Sequence, residues 1–184
     1  MMRIITGSAR GTKLMTLEGE NTRPTSERVK ESVFSMLQFD IEGRRVLDLF
    51  GGSGQLALEA LSRGAAQATV VDASPDAVKI IKANAQKTKL YDKCVILTKD
   101  YKAFLKGSKE KFDIIFLDPP YDSNMLEESL RLIIDQKMIN YNGFIILESD
   151  KDEIPEYGNL TLHRHSKQGR AYITVLINEV EGDE

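Results

Sequence analysis

Cysteine is almost absent: Cys94 is the only one in 184 residues. A single thiol excludes an internal disulfide framework. With only two histidines in the chain, there is also no Cys/His spacing suited to a metal. Cys94 lies in the apolar stretch Cys94-Val95-Ile96-Leu97, which predicts a core residue rather than a reactive thiol. Long hydrophobic runs are missing too. None approaches the ~20 residues of a membrane-spanning helix. The opening Met-Met-Arg-Ile-Ile-Thr lacks the apolar core of a signal peptide. These absences predict a cytoplasmic protein with no membrane association. There are no internal repeats and no low-complexity tract. The length favours one domain with one substantial core. A compact domain with no obvious interaction helix predicts a monomer.

Charge of one sign is also scarce. The net charge is −3, which by itself argues weakly against nucleic-acid binding. Its distribution says more. Residues 1–30 hold six basic side chains (Arg3, Arg10, Lys13, Arg23, Arg28, Lys30) against Glu18, Glu20 and Glu27, a local +3. The rest of the chain carries −6. From charge alone, that segment is equally a solvated face or a basic surface on an acidic body.

What is present is concentrated in residues 113–121, Asp-Ile-Ile-Phe-Leu-Asp-Pro-Pro-Tyr. The apolar run Ile114 to Leu117 reads as a buried strand of a parallel sheet. Two successive prolines cannot continue a ladder, because each lacks an N–H and has a fixed φ. Asp118, the Pro119 carbonyl, Pro120 and Tyr121 are therefore held at a strand's carboxyl edge, where open α/β sheets bind ligands. The carboxylate and carbonyl can accept hydrogen bonds from an amino group, and the tyrosine ring can stack on a planar one. The blander possibility is a proline-rich turn without chemistry.

From residue 45 the pattern alternates. Strands are expected at Arg45–Phe50, Ala68–Asp72, Lys93–Thr98, Phe112–Leu117 and Phe144–Glu148. Helices are expected at Gln55–Arg63, Pro75–Lys87 (Ser74 as N-cap), 101–106 and Ser123–Gln136. This order predicts an α/β fold with a mostly parallel sheet and helices on both faces. Thr161–His165 and Tyr172–Ile177, separated by Ser166–Arg170, predict a terminal antiparallel hairpin. His163 and His165 share one strand face at i and i+2, with no third ligand in sight, so a surface face is expected rather than a metal site.

Residues 1–40 form a separate unit, an extension ahead of a main domain at 41–184. Arg3-Ile4-Ile5 and Lys13-Leu14 suggest a small hairpin. Arg23-Pro24-Thr25 leads into a helix that Thr25 can cap. Val29, Val33, Met36 and Leu37 make its buried stripe, with Arg28 and Lys30 off it.

Leu47-Asp48-Leu49-Phe50-Gly51-Gly52-Ser53-Gly54-Gln55-Leu56-Ala57 is strand, glycine loop and helix. Glycines let the backbone turn sharply and approach a ligand. Asp72, about twenty residues on, can take both hydroxyls of a ribose. The loop alone fits NAD as well as S-adenosylmethionine. Three features favour the latter. Asp48 aims an anion at the loop, which suits an ammonium and a sulfonium better than a pyrophosphate. Asp100 follows the third strand, where it can take an adenine amino group. The sheet also carries the Asp-Pro-Pro-Tyr turn and the terminal hairpin, neither of which a dehydrogenase needs.

The combination resembles a class I methyltransferase and, more narrowly, the RsmD family of small-subunit (16S) ribosomal RNA guanine-N2 methyltransferases. The resemblance spans nearly the whole chain. It rests on Arg3-Ile-Ile-x-Gly7-x-x-Arg10-Gly11-x-Lys13-Leu14, on Arg23-Pro24-Thr25-x-x-Arg28-Val29-Lys30-Glu31-Ser32-Val33-Phe34, on Asp48-Leu-Phe-x-Gly52-Ser-Gly54, on Leu58-Glu59-Ala60-Leu61-Ser62-Arg63-Gly64 and on the Asp-Pro-Pro-Tyr turn. Gly51 and Gln55 depart from the family's usual small residues, and Asp72 from its usual Glu.

The resemblance implies a Rossmann-like sheet of seven strands and S-adenosylmethionine as cofactor. Cofactor contacts are implied at Asp48, Phe50, Gly52, Ser53, Gly54, Asp72, Ala73, Asp100 and Tyr101, and catalysis at Asp118, Pro119, Pro120 and Tyr121. The implied partner is 16S rRNA or the small ribosomal subunit, with RNA contacts from Arg10, Lys13, Arg23, Thr25, Arg28 and Lys30 and no metal. Alternatives are an adenine-N6 or glutamine-amide methyltransferase, an NAD-dependent oxidoreductase and a non-catalytic RNA-binding assembly protein.

Overall fold

The computed structural model describes residues 2–17, 27–121 and 123–181. Arg23 and Thr25, and with them the expected helix cap, lie outside the described residues. Seven strands form one sheet: β1 (Arg45–Asp48), β2 (Gln67–Asp72), β3 (Cys94–Thr98), β4 (Phe112–Leu117), β5 (Ile139–Ser149), β6 (Thr161–Gln168) and β7 (Ala171–Ile177). Their spatial order is β3-β2-β1-β4-β5-β7-β6. The first five run parallel, and β7 lies antiparallel between β5 and β6. The sheet reverses its order between β1 and β4, and a ligand crevice opens above that point.

Among the described residues, five α-helices cover the sheet: α1 (Glu27–Leu37), α2 (Gln55–Ser62), α3 (Pro75–Lys87), α4 (Tyr101–Gly107) and α5 (Met125–Asp135). Strand alternation divides the core between the two faces. Val46, Val70, Ile114, Phe116 and Ile146 pack with α1, α2 and α3. Leu47, Val71, Ile115, Leu117 and Ile145 pack with α4 and α5. Local chemistry sets the helix starts. The Ser74 hydroxyl accepts the Ala77 amide at 3.3 Å, ahead of Pro75. Asp100 Oδ2 accepts the amides of Lys102 and Ala103.

The N-terminal segment is bound into the first core. Ile4, Ala9 and Leu14 are buried with Val33 and Phe34 of α1. Burying each large aliphatic side chain contributes about 1.5–3 kcal/mol. Arg3 and Lys13 form one antiparallel bridge, a minimal version of the expected hairpin. Every residue of α2 is buried, because the sheet covers one side and this segment the other. Glu59 and Ser62 of α2 supply the polar partners the segment's backbone needs. Glu59 accepts the amides of Ile5 (2.9 Å) and Thr6 (3.1 Å). The Ser62 hydroxyl accepts the Ala9 amide and donates to the Thr6 carbonyl.

Several expectations are corrected. Lys30 is 1% exposed, not on the outer face of α1. Its Nζ donates to the Arg3 carbonyl at 2.6 Å and lies 3.6 Å from Glu59. Burial lowers its pKa, with Glu59 opposing. A buried carboxylate needed a cation, and Lys30 meets that need ahead of solvent. β1 ends at Asp48 rather than Phe50, since the loop that follows turns immediately. β5 begins five residues earlier than expected, at Ile139. It passes through Asn142 (φ 59°) and a register shift against β4 that hide it from a simple alternation count. β6 runs on to Gln168, and the turn tightens to Gly169 (φ 65°). A register shift between Leu162 and Arg164 breaks the alternation that placed both histidines on one face. His165 instead contacts Asp152 and Thr174, each at 2.8 Å, and His163 is exposed. Among the described residues, no cluster of three or more His, Cys, Asp or Glu is placed to hold a metal. Cys94 is half-buried against the first core, and burial pushes its thiol up to about 12. No helix among the described residues is long and apolar enough to cross a membrane.

Candidate active site

A cleft of about 930 Å³ opens at the carboxyl ends of β1, β2 and β4. Its floor is the loop from Leu49 to Ser53, and Asp72, Ala73, Asp100 and Tyr101 line one side. Asp118, Pro119, Pro120 and Tyr121 line the other. The structure thus brings Phe50, Gly52, Ser53, Asp72, Ala73, Asp100 and Tyr101 to one cavity with the Asp-Pro-Pro-Tyr turn, whereas Asp48 and Gly54 are not part of its lining. Gly54, at φ 81°, starts α2 from a left-handed conformation. Gly52, at φ 60°, has open space where a side chain would project. Gly51 is tight instead: a Cβ there would fall 2.6 Å from Val70 Cγ1 and 2.9 Å from Ile81 Cδ1. Those two side chains already fill the room that a larger residue would take.

Asp48 closes β1 beneath this loop at 1% exposure. Its Oδ1 has no hydrogen-bond partner. Burial first, then the negative charge of Asp118, raise its pKa to about 8, while the Ala57 and Phe50 amides oppose the shift. A buried, unsatisfied carboxyl is a costly arrangement that a positively charged ligand group would relieve. Asp72 is held by its surroundings. Oδ2 accepts the Gly52 amide and Oδ1 the Ser74 amide, both at 2.9 Å. Each oxygen keeps a second lone pair for a hydroxyl donor. The Tyr101 ring packs on Phe50 at 5.4 Å between centroids, and its hydroxyl bonds to Glu128. Burial and that carboxylate raise the phenol pKa. The donors and acceptors around the cleft fit an adenosine ligand bearing a cationic tail.

At the opposite wall, Pro119 is buried while Pro120 and Tyr121 reach solvent, Tyr121 at 37% exposure. The Ser123 hydroxyl donates to the Pro120 carbonyl at 2.8 Å, which closes the turn. Of the basic residues, Arg10, Lys13 and Arg28 are exposed. Sequence reasoning missed that the N-terminal segment reaches the cleft. Met2, Thr16 and Leu17 line it. The Ser53 hydroxyl contacts Met2 Sδ at 3.0 Å, and the Asn84 amide bridges the Met15 backbone to the Ser53 carbonyl. No local pattern announces such a bridge. Sequence reasoning also passed over Glu148, which lies one residue before the end of β5 much as Asp118 follows β4. That parallel was there to be read.

This strand order is that of the Rossmann-like methyltransferases, the class shared by the structural neighbours. The solved structure of yhhF from Escherichia coli, provisionally described as a methyltransferase, superposes with a TM-score of 0.87 at 32% identity, covering 98% of this chain and 99% of its own. The family described as Conserved hypothetical protein 95 matches residues 2–177, and the chain belongs to it. YlbH of Bacillus subtilis (strain 168), provisionally named an rRNA methyltransferase, is 37% identical over 179 residues, 95% of this chain and 97% of its own. Ribosomal RNA small subunit methyltransferase D of Escherichia coli (strain K12) is 33% identical over 184 residues, 99% and 92% of the two chains.

Proposed function

We propose that the protein transfers a methyl group from S-adenosylmethionine to the exocyclic N2 of a guanine in small-subunit (16S) ribosomal RNA. The observation that carries this reading is the Asp118–Tyr121 turn facing the glycine loop across one cleft. The names of the full-length relatives support the rRNA substrate. When bound, S-adenosylmethionine supplies an electrophilic methyl on a sulfonium. Asp48 stabilises the cationic tail from below the loop, Asp72 holds the ribose hydroxyls and Asp100 the adenine edge.

The N2 lone pair of guanine is delocalised into its ring, which makes it a weak nucleophile. The Asp118 carboxylate and Pro119 carbonyl accept its two hydrogens and favour a pyramidal nitrogen with the lone pair turned toward the cofactor side. Alignment and fixed acceptors provide much of the rate. Asp118 need not be a strong base, because the proton becomes acidic once the new C–N bond has formed. Tyr121 stacks on the plane of a base that is unpaired or flipped out. Arg10, Lys13 and Arg28, with Arg23 and Thr25, contact the RNA backbone.

The test uses methyl-labelled S-adenosylmethionine with unmodified small subunits and, in parallel, free 16S rRNA. The expected label is N2-methylguanosine, identified by mass after digestion to nucleosides. Label in N6-methyladenosine would refute the guanine assignment. Asp118→Ala should lower transfer by about 10³-fold or more while leaving cofactor affinity nearly unchanged. Transfer at the parental rate would remove Asp118 from the mechanism.

A further inference from the structure

Glu148 is a second carboxylate beside Asp118, and the proposed chemistry leaves it without a task. β4 and β5 are parallel neighbours with Phe116 opposite Ile146 and Leu117 opposite Leu147. Continuing the register sets Asp118 beside Glu148, on strands about 4.8 Å apart. Phe116 and Ile146 face the α1 side of the sheet, and alternation sends Asp118 and Glu148 the same way. Both acids border one narrow apolar slot, together with Val33 and Ile173. Glu148 is only 9% exposed. In its ionised form, a carboxylate bordering such a slot accepts hydrogen bonds and offers none.

Guanine presents two kinds of donor side by side on its Watson–Crick edge, the N2 amino group and N1–H. Adenine presents its amino group next to an N1 lone pair. We propose that Glu148 selects guanine by accepting N1–H while Asp118 and Pro119 hold the N2 amino group. This rests on the guanine-N2 reading and adds the residue that makes the base choice. Adenine would set a lone pair against a carboxylate in low-dielectric surroundings, where an acceptor facing an acceptor is most costly.

The test replaces the methylated guanosine by 2-aminopurine, which keeps the N2 amino group but has a lone pair at N1. The substrate is a subunit reconstituted with rRNA ligated to carry that one substitution. The parent protein should favour guanine over 2-aminopurine by about 100-fold or more in kcat/KM. Glu148→Gln, whose amide can donate to N1, should shrink that ratio by about tenfold or more. A purely structural role for Glu148 would lower both rates and leave the ratio alone. Equal rates of the parent on the two bases would overturn the proposal, and this arm stands even where the variant does not fold. A folded Glu148→Gln protein, with normal cofactor affinity and an unchanged ratio, would overturn it too. The product of the parent on unsubstituted RNA separates the two levels. N6-methyladenosine there ends the guanine reading and the proposal together. N2-methylguanosine with an unchanged ratio ends the proposal alone.

Discussion

Asp48 sits at the least comfortable point of the chain. Its pKa in the fold, about 8, stands above the ordinary 3.8. The folded state therefore holds a proton that the unfolded chain gives up. Stability is greatest below about pH 4 on this account, and it is lost as pH rises through 8. Asp48→Asn removes that loss while keeping shape. The cofactor-free variant should melt above the parent at pH 8, with the gap closing toward pH 4, as followed by calorimetry. Each ~1 kcal/mol of relief moves Tm by about 2–4 °C in a chain of this size. The same variant should bind S-adenosylmethionine more weakly. A lower Tm than the parent at pH 8 would contradict the assignment. The sequence disclosed that an acid stood here, because a strand followed by a glycine loop is a local pattern. It did not disclose the missing partner, which depends on what α2 brings over it. Lys30 shows the limit more sharply. The sequence placed it off the buried stripe, whereas it shares the buried face of α1 with Val33, Phe34 and Leu37, and the carboxylate that makes this tolerable, Glu59, is 29 positions away.

At the level of elements, α3 and β4 fall at their expected bounds because both carry their own punctuation. Ser74-Pro75 opens one, and Asp118-Pro119-Pro120 closes the other. β5 and β6 were cut short in the sequence reading, since their added residues are held by pairing with neighbouring strands, across an irregular register with β4 in the case of β5, rather than marked by alternation. The glycine loop combines both kinds of information. Gly51 departs from the small side chain expected there, and Val70 and Ile81 occupy that volume. Gly51→Ala should therefore cost about 1–3 kcal/mol through overpacking and shift the loop, weakening cofactor binding. Denaturant unfolding and calorimetric titration would measure the two effects. An alanine variant as stable as the parent would show that β2 and α3 can yield.

For the molecule as a whole, the uneven charge seen in the sequence survives folding only in part. Arg10, Lys13 and Arg28 remain on the surface, and Lys30 does not. Arg10→Glu should weaken RNA binding and reduce the salt slope of log K by about 1 or more, with stability unchanged. Lys30→Ala should do the reverse, costing about 3 kcal/mol of stability with the salt slope intact. Filter binding across a salt series, alongside thermal melts, distinguishes them. A reduced slope for Lys30→Ala would restore it to the RNA surface. The parallel order of the sheet was legible from alternation alone. The way residues 2–17 wrap onto α2 was not, since it depends on pairings such as that between Met15 and Asn84, 69 positions apart.

That pairing also bears on how the chain is made. The N-terminal segment leaves the ribosome ahead of α2 and α3 and has nothing to dock on until they have followed it. Closing a span of 69 residues costs entropy that only the finished sheet and its covering helices repay. Docking of this segment, which brings Met2, Thr16 and Leu17 to the cleft, therefore needs α2 and α3 in place. Until that docking, Arg10 and Lys13 belong to a chain that lacks the cleft whose lining Met2, Thr16 and Leu17 complete.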